Sequence, residues 1–462
     1  MEILAVRYQP FHYVIPIHHR LSIHLMTLSV LRSRLAQQKF SYRLLSGVSW
    51  SLVGSIFAYA GKLLMSIVLA RLLGQTAYGE FGIITSTVLL FATFAGIGLG
   101  ITGTKYLAEY RQDELIAGQI IGILLFVSLL FGILLASSIY LMADFLSVNA
   151  LNAPNLSSEL KVGSYFILFI VLFNVQVGVL TGFECFRALA VISALEGVFL
   201  LSFSWLGATL YGLNGAVWGF GLASALVCIP CLGYSLYYCR DAGIPIRLSF
   251  GRFEYSIFFD FGFPALVVLI LPQIFTWLTR IVLAYQPDGY SELGLLNVGF
   301  AWSALILFIP RQISKPALPI LTNLYATDDM SEYRHILNLY IVFSLGVTLL
   351  LVLPIMLLSK NIMNMYGSEF IESWIVLVLM VAAFGFGAIT ITFRDLIASQ
   401  GSMWLQAYHA MVWGIVLVAL TYIMRTWGAQ GTAISFCVAY VVLVLLQFIY
   451  LRSKIFSSHK VL

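Results

Sequence analysis

Charge is what this chain has least of. Only 10% of its 462 residues are Asp, Glu, Lys or Arg, against roughly 25% in a soluble domain. With 61% hydrophobic residues and a mean hydropathy of +0.96, the chain has too little polar surface to wet a globule of its size. A soluble enzyme is excluded, and lipid is the expected solvent. Cysteine is scarce as well: Cys185, Cys228, Cys231, Cys239 and Cys437 are all in or beside apolar runs. An odd count so placed does not make a disulfide framework. Long polar loops are missing too. The largest connections, 103–116, 143–161, 239–256 and 314–335, have no room for a soluble catalytic domain.

What the chain does have is apolar runs of about 18 residues or more, long enough to cross hydrocarbon. Six occupy 47–70, 79–102, 117–142, 162–183, 188–211 and 214–238, and six more occupy 257–282, 291–313, 336–358, 370–393, 403–424 and 428–450. The expected fold is an all-α integral membrane protein of about twelve transmembrane helices. Its expected organisation is a basic cytoplasmic N-terminal segment (1–43), an N-lobe (44–240), a cytoplasmic linker (241–254), a C-lobe (255–452) and a cytoplasmic tail (453–462). With both termini inside, nineteen Lys and Arg fall on the cytoplasmic side and five on the other, the bias expected of a multi-pass inner-membrane protein. The first segment carries His12, His18, His19 and His24. These either bind metal or, the preferred reading, belong to an unstructured extension ahead of an alternative start at Met26.

The two sets of six spans repeat each other. Tyr78-Gly79-Glu80-Phe81-Gly82 follows the first span, and Tyr290-Ser291-Glu292-Leu293-Gly294 follows the seventh. Tyr211-Gly212-Leu213-Asn214-Gly215 parts spans five and six, and Trp427-Gly428-Ala429-Gln430-Gly431 parts eleven and twelve. The landmarks lie 132 residues apart in the first half (80 to 212) and 136 in the second (292 to 428). An even number of spans per half makes the repeat parallel, about an axis along the membrane normal. Transporters so built hold substrate between the halves and rock them.

These residues resemble a known family. Leu69-Ala70-Arg71-Leu72-Leu73-Gly74 with Tyr78 to Gly82, Lys105-Tyr106-Leu107-Ala108-Glu109-Tyr110-Arg111, and Arg280-Ile281-Val282-Leu283 with Tyr290 to Gly294 are similar to segments of Wzx-type oligosaccharide flippases. Those belong to the multidrug/oligosaccharidyl-lipid/polysaccharide (MOP) exporter superfamily, with the MATE drug exporters and the lipid II flippase. The resemblance runs from about residue 44 onward. It implies two six-helix lobes around a central cavity and transfer of an undecaprenyl-diphosphate-linked oligosaccharide to the outer leaflet. Membrane lipids, polysaccharide polymerase and glycosyltransferases are the implied partners; nucleic acid is not. No cofactor or metal is expected, and the drive is either a coupling ion (Na+ or H+) or the membrane potential. One position departs from the family: Thr279 precedes Arg280 where many members carry an acid.

Such cargo needs cations for its diphosphate and polar walls for its sugars, because unpaired polar groups in hydrocarbon cost several kcal/mol each. Lys62 lies mid-span on a face with Ser51, Ser55, Ala58 and Ser66. It either faces the cavity or pairs with Glu196, the clearest intramembrane acid. Arg280 shares a face of span seven with Gln273 and Trp277. It is either a phosphate ligand or an interfacial arginine like Arg71. Asn174, Gln176 and Asn297 are polar residues within spans, suited to sugar or to interhelical hydrogen bonds. Glu80 and Glu292, with Arg71, either gate the outer side or, for the two acids, favour a helix N-terminus.

Other patterns are discounted. Gly61-Lys62 lacks the Ser or Thr and the spacing of a phosphate loop. Gly96-x-Gly98-x-Gly100 reads as close helix packing, Cys228-x-x-Cys231 has no second pair, and Asp328-Asp329 has no catalytic domain around it. Two rival functions are a MATE-like cation-coupled exporter and a membrane-embedded polysaccharide polymerase or ligase. The loops 143–161 and 359–369 are too small for the latter.

Overall fold

The computed structural model describes residues 17–96, 98–248, 263–326, 330–399 and 403–457. Residues 1–16, the side chains of His18, His19, His24 and Met26, linker residues 249–254, Asp328-Asp329 and residues 458–462 lie outside the description. The chain divides into a unit of residues 1–50 and a unit of residues 51–462. The apolar spans all lie in the second unit.

Among the described residues every regular element is helical. In chain order the helices are α1 (Ile17–Gly96), α2 (Leu99–Glu109), α3 (Glu114–Phe145), α4 (Ser157–Gly182), α5 (Phe186–Asp241), α6 (Phe263–Ala284) and α7 (Gly289–Ala326). Then come α8 (Met330–Leu357), α9 (Ser359–Tyr366), α10 (Ser368–Ile371), α11 (Trp374–Ser399), α12 (Met403–Ile423) and α13 (Gly428–Ser457).

Ten described stretches are long and apolar enough to cross a membrane. Two of them, Leu52–Glu109 and Phe186–Asp241, run to 58 and 56 residues, about twice what one crossing needs at 1.5 Å per residue. Each is broken at a glycine with positive φ, Gly74 (φ 76°) and Gly212 (φ 59°). Twelve crossings result. At Gly212 the break is a hairpin: a Cβ on Gly207 would collide with the carbonyl of Gly215, and one on Gly219 with that of Phe203.

The repeat is present in the backbone. Gly212 has φ 59° and ψ −136°; its counterpart Gly428 has φ 58° and ψ −137°. Only glycine adopts this conformation without strain. Gly98 is also left-handed, at φ 67°, and separates α1 from α2. The Gly96–Gly100 stretch is therefore a break as well as a packing motif, with Gly100 closely opposed to Gly178.

Small residues bring spans together, as expected where lipid supplies no hydrophobic drive between helices. Gly54 and Gly61 on α1 meet Ala190 and Gly197 on α5 too closely for a side chain. One buried apolar cluster includes both halves, joining Leu69, Phe81 and Ile167 to Leu283, Leu296 and Phe436.

Candidate functional site

The stripe predicted on span seven faces the first half of the chain. From α6, Gln273 Nε2 donates to Thr93 Oγ1 at 3.2 Å, Trp277 Nε1 donates to Thr87 Oγ1 at 2.9 Å, and Arg280 lies one turn further on. Arg280 is 8% exposed. Its Nη1 donates to Asn297 Oδ1 at 2.8 Å, and its guanidinium lies 4.6 Å from the Phe300 ring centroid. Its Nε has no partner among the described residues. Asn297 passes the link across the halves, donating from Nδ2 to the Tyr78 carbonyl at 2.9 Å. Arg280 is thus enclosed in protein, unlike Arg71.

Around this link the halves are sewn together. Tyr290 Oη donates to the Leu151 carbonyl at 2.6 Å and Tyr285 Oη to that of Asn149 at 2.5 Å. A Cβ on Gly79 would collide with the Tyr290 carbonyl, and one on Gly82 with the Asn297 side chain. Arg71 is exposed and donates to the carbonyls of Met365 at 2.6 Å and Asn364 at 3.4 Å, at the C-terminal end of α9, where a cation is favoured. The Gln75 backbone N–H donates to Glu369 Oε2 at 3.3 Å.

Lys62 sits on the α1 face that meets the second half. Three residues before it, the Tyr59 ring lies tilted against that of Phe308, centroids 4.8 Å apart. Four residues after it, Ser66 Oγ hydrogen-bonds Tyr366 Oη at 2.9 Å, and Trp302 Nε1 donates to the same hydroxyl at 3.1 Å. Lys62 Nζ lies 2.8 Å from Glu196 Oε1, with the lysine side chain 48% and the glutamate 21% exposed. Lys62 is therefore ion-paired within the first half, on a helix whose neighbouring residues Tyr59 and Ser66 reach the second. Ser55 is half-buried on the same helix.

Asn174 is exposed. Gln176 is buried, and among the described residues neither of its side-chain polar atoms has a partner. Glu80 accepts from Asn155 Nδ2 at 3.2 Å. Glu292 accepts from the Ala429 amide at 2.7 Å, and so holds the N-terminus of α13. Among the described residues no group of three or more His, Cys, Asp or Glu is arranged to hold a metal ion.

Comparison with known proteins fits this architecture. A family model described as "Polysaccharide biosynthesis protein" matches residues 44–321. The chain belongs to the polysaccharide biosynthesis protein family. Among its relatives, the EPS I polysaccharide export inner membrane protein EpsE of Ralstonia nicotianae is 24% identical over 88% of this chain and 94% of its own length. Among solved structures, an inward-facing MATE transporter of the MOP superfamily superposes with a TM-score of 0.73 at 16% identity, over 89% of this chain and 99% of that one. The lipid II flippase MurJ in an inward closed conformation gives 0.69 at 15% identity, over 87% of each. This member of the polysaccharide biosynthesis protein family has the fold of these MOP-superfamily transporters.

Two features of this protein are not evident from its sequence. Glu196 is not its one intramembrane acid: Asp395 on α11 is 3% exposed and accepts from Tyr340 Oη at 2.7 Å. Hydropathy ends that span at residue 393, but the helix continues to Ser399 and carries Asp395 inside. The second feature is a cavity of about 190 Å³ within the second half, with Arg311 and Arg394 in its lining. By sequence, both arginines count as ordinary cytoplasmic positive charge. A signal is present nonetheless, because Gln406, His409 and Trp413 share one face of α12 at helical spacing.

Proposed function

We propose that this transporter flips a polyprenyl-diphosphate-linked oligosaccharide across the cytoplasmic membrane for surface polysaccharide assembly. Its two six-span lobes rock about the path between them, with both termini in the cytoplasm. The observation that carries this reading is the polar seam between the halves. It is dense around Tyr78, Asn297 and Tyr290, at the outer end by the Lys and Arg bias. Lys62, Glu196, Gln273 and Trp277 continue along the same facing surfaces. Such a seam is a set of weak, reversible bonds, suited to opening and closing. The alternative route for the sugars, through hydrocarbon, leaves every hydroxyl unpaired. The polysaccharide-export name of the Ralstonia relative and the lipid II flippase fold support the same cargo class, and the relative's name supports the inner membrane.

The test is reconstitution into liposomes holding a fluorescent polyprenyl-diphosphate oligosaccharide in both leaflets. Wild-type protein should expose the inner pool to a membrane-impermeant quencher, and protein-free liposomes should not. Equal protection in the two preparations overturns the reading. Asp395 and Glu196, two carboxylates within the spans, favour a second reading as a cation-coupled exporter of small molecules. Efflux of a cationic dye by the same liposomes, with no movement of the lipid-linked sugar, would select it.

A further inference from the structure

The cavity in the second half is built from one face of each of several helices. Leu307 and Arg311 come from α7, Gly387, Thr390 and Arg394 from α11, Gln406, His409 and Trp413 from α12, and Tyr440 and Gln447 from α13. Spacings of three, four and seven put each set on a single face. Because α12 runs against α7, α11 and α13, the charged and amide residues gather at one end: Arg311, Arg394, Gln406 and Gln447. That end lies some 22 residues along α7 from Gly289, roughly 33 Å at 1.5 Å per residue, or one hydrocarbon thickness from the outer seam.

Three polar atoms in the wall have no partner among the described residues: His409 Nδ1, Trp413 Nε1 and Gln447 Oε1. Each belongs to a residue only 4% exposed. Buried polar groups are normally satisfied, and a cluster of orphans lining a cavity calls for a ligand that satisfies them. Arg311 and Arg394 are exposed, and among the described residues neither has a carboxylate within ion-pairing distance. Gln406 Nε2 is held by the Arg394 backbone carbonyl at 3.2 Å, which fixes α12 against α11 independently of the Arg394 side chain.

The donors and acceptors specify the ligand. Two guanidiniums offer forked donors that match phosphoryl oxygens. The Trp413 indole adds a donor only, and Gln447 Oε1 is an acceptor that asks for a hydroxyl. An anion with phosphoryl oxygens beside sugar hydroxyls meets all of these requirements. A cation does not, because Arg311 and Arg394 repel it. We propose that this cavity is the cytoplasmic loading site for the cargo headgroup, binding its diphosphate at Arg311 and Arg394 and its first sugar at His409, Trp413 and Gln447. This rests on the flippase reading and separates loading from the seam: Lys62 and Arg280 are ion-paired or enclosed, while the arginines of this cavity are open to a ligand.

The same phosphoryl chemistry is offered by anionic phospholipid headgroups and by free phosphate, so the test separates these sources. Full-length protein in phosphatidylcholine nanodiscs is titrated with farnesyl diphosphate, farnesol, inorganic diphosphate and inorganic phosphate. The titration is repeated in nanodiscs containing phosphatidylglycerol. Farnesyl diphosphate should bind with farnesol inert, and Arg311→Gln/Arg394→Gln should weaken it at least about tenfold, the scale of losing charge-assisted hydrogen bonds. Arg311→Lys/Arg394→Lys should bind more tightly than the double Gln variant and less tightly than wild type, because the charge survives and the forked donors do not. Gln447→Leu should leave farnesyl diphosphate binding unchanged while weakening a sugar-bearing analogue. Binding that survives the double Gln substitution overturns the site. Complete competition by phosphatidylglycerol, or inorganic phosphate binding as tightly as farnesyl diphosphate, overturns the cargo assignment. The liposome assay on the same variants distinguishes the two proposals. Flipping that persists in the double Gln variant sinks the loading site alone, whereas absence of flipping by wild-type protein sinks the flippase reading.

Discussion

Asn297 and Tyr78 are 219 residues apart in sequence, and the side-chain amide of one donates to the backbone carbonyl of the other at 2.9 Å. Since Asn297 also accepts from Arg280 at 2.8 Å, one amide holds a buried cation and both halves of the protein. Asn297→Ala should remove this acceptor from the Arg280 guanidinium and leave the Tyr78 carbonyl uncovered. An unsatisfied buried group costs about 1–3 kcal/mol, and more when charged. We expect a lowered midpoint of thermal unfolding in detergent and loss of export, with Asn297→Gln recovering less than half. An unchanged unfolding midpoint for Asn297→Ala would show that the seam does not depend on this residue.

The two repeat glycines give a matched pair. Gly212 and Gly428 share the same positive-φ backbone, with ψ −136° and −137°, so alanine at either should cost about 1–3 kcal/mol in strain. Among the described residues a Cβ at Gly212 meets nothing within 4 Å, but one at Gly428 would come within 2.6 Å of the Glu292 carboxyl. Gly428→Ala should therefore lower the folded yield in membranes more than Gly212→Ala. Equal yields would mean that the Glu292 contact with the start of α13 is dispensable.

The Lys62–Glu196 pair sits at 2.8 Å on partly exposed side chains. Lys62→Ala removes one partner of a pair whose side chains are not fully enclosed and takes away no buried apolar packing, so the protein should stay folded and inserted. Its effect should fall on transport. Lys62→Arg should retain part of the export, and Lys62→Glu should be inactive because two carboxylates then face each other. The exchange Lys62→Glu/Glu196→Lys should recover export if the pair is what matters. Surface polymer measured against membrane protein level reads all four variants, and full export by Lys62→Ala would rule Lys62 out of the transport path.

The proposed orientation rests on nineteen Lys and Arg on one side of the spans against five on the other. A periplasm-active reporter fused after Asn155 should be active, and one fused after Ala326 should be silent. The opposite pattern would exchange inside for outside, and with it place the Arg311–Arg394 cavity on the outer face.

Closure at the seam can be trapped. The Gln75 backbone nitrogen lies 3.3 Å from the Glu369 carboxylate, so cysteines at these two positions, in a chain freed of its five native ones, should react with a short bifunctional thiol reagent. Cross-linking should stop export and reductant should restore it. Export that continues at full rate in cross-linked protein would show that the halves do not part at this end.

Much of this protein is set by local sequence. Apolar length, scarcity of charge and the Gly74, Gly212 and Gly428 breaks determine a twelve-span membrane protein, because hydropathy and backbone preference act within a few residues. The repeat is legible for the same reason: Tyr78 to Gly82 and Tyr290 to Gly294 are short contiguous patterns. The stripe of Gln273, Trp277 and Arg280 follows from helical periodicity alone. What that stripe touches does not. Ser66 meets Tyr366 across 300 residues, Arg280 is enclosed by Asn297 and Phe300, and Lys62 finds Glu196 on another span. Asp395 and Tyr340 pair in the same way. The cavity bounded by Arg311, Arg394, His409 and Gln447 needs α7, α11, α12 and α13 side by side with α12 reversed. Periodicity fixes the face a residue occupies on its own helix, but which helix lies opposite depends on packing among all the spans, and only the tertiary structure decides that.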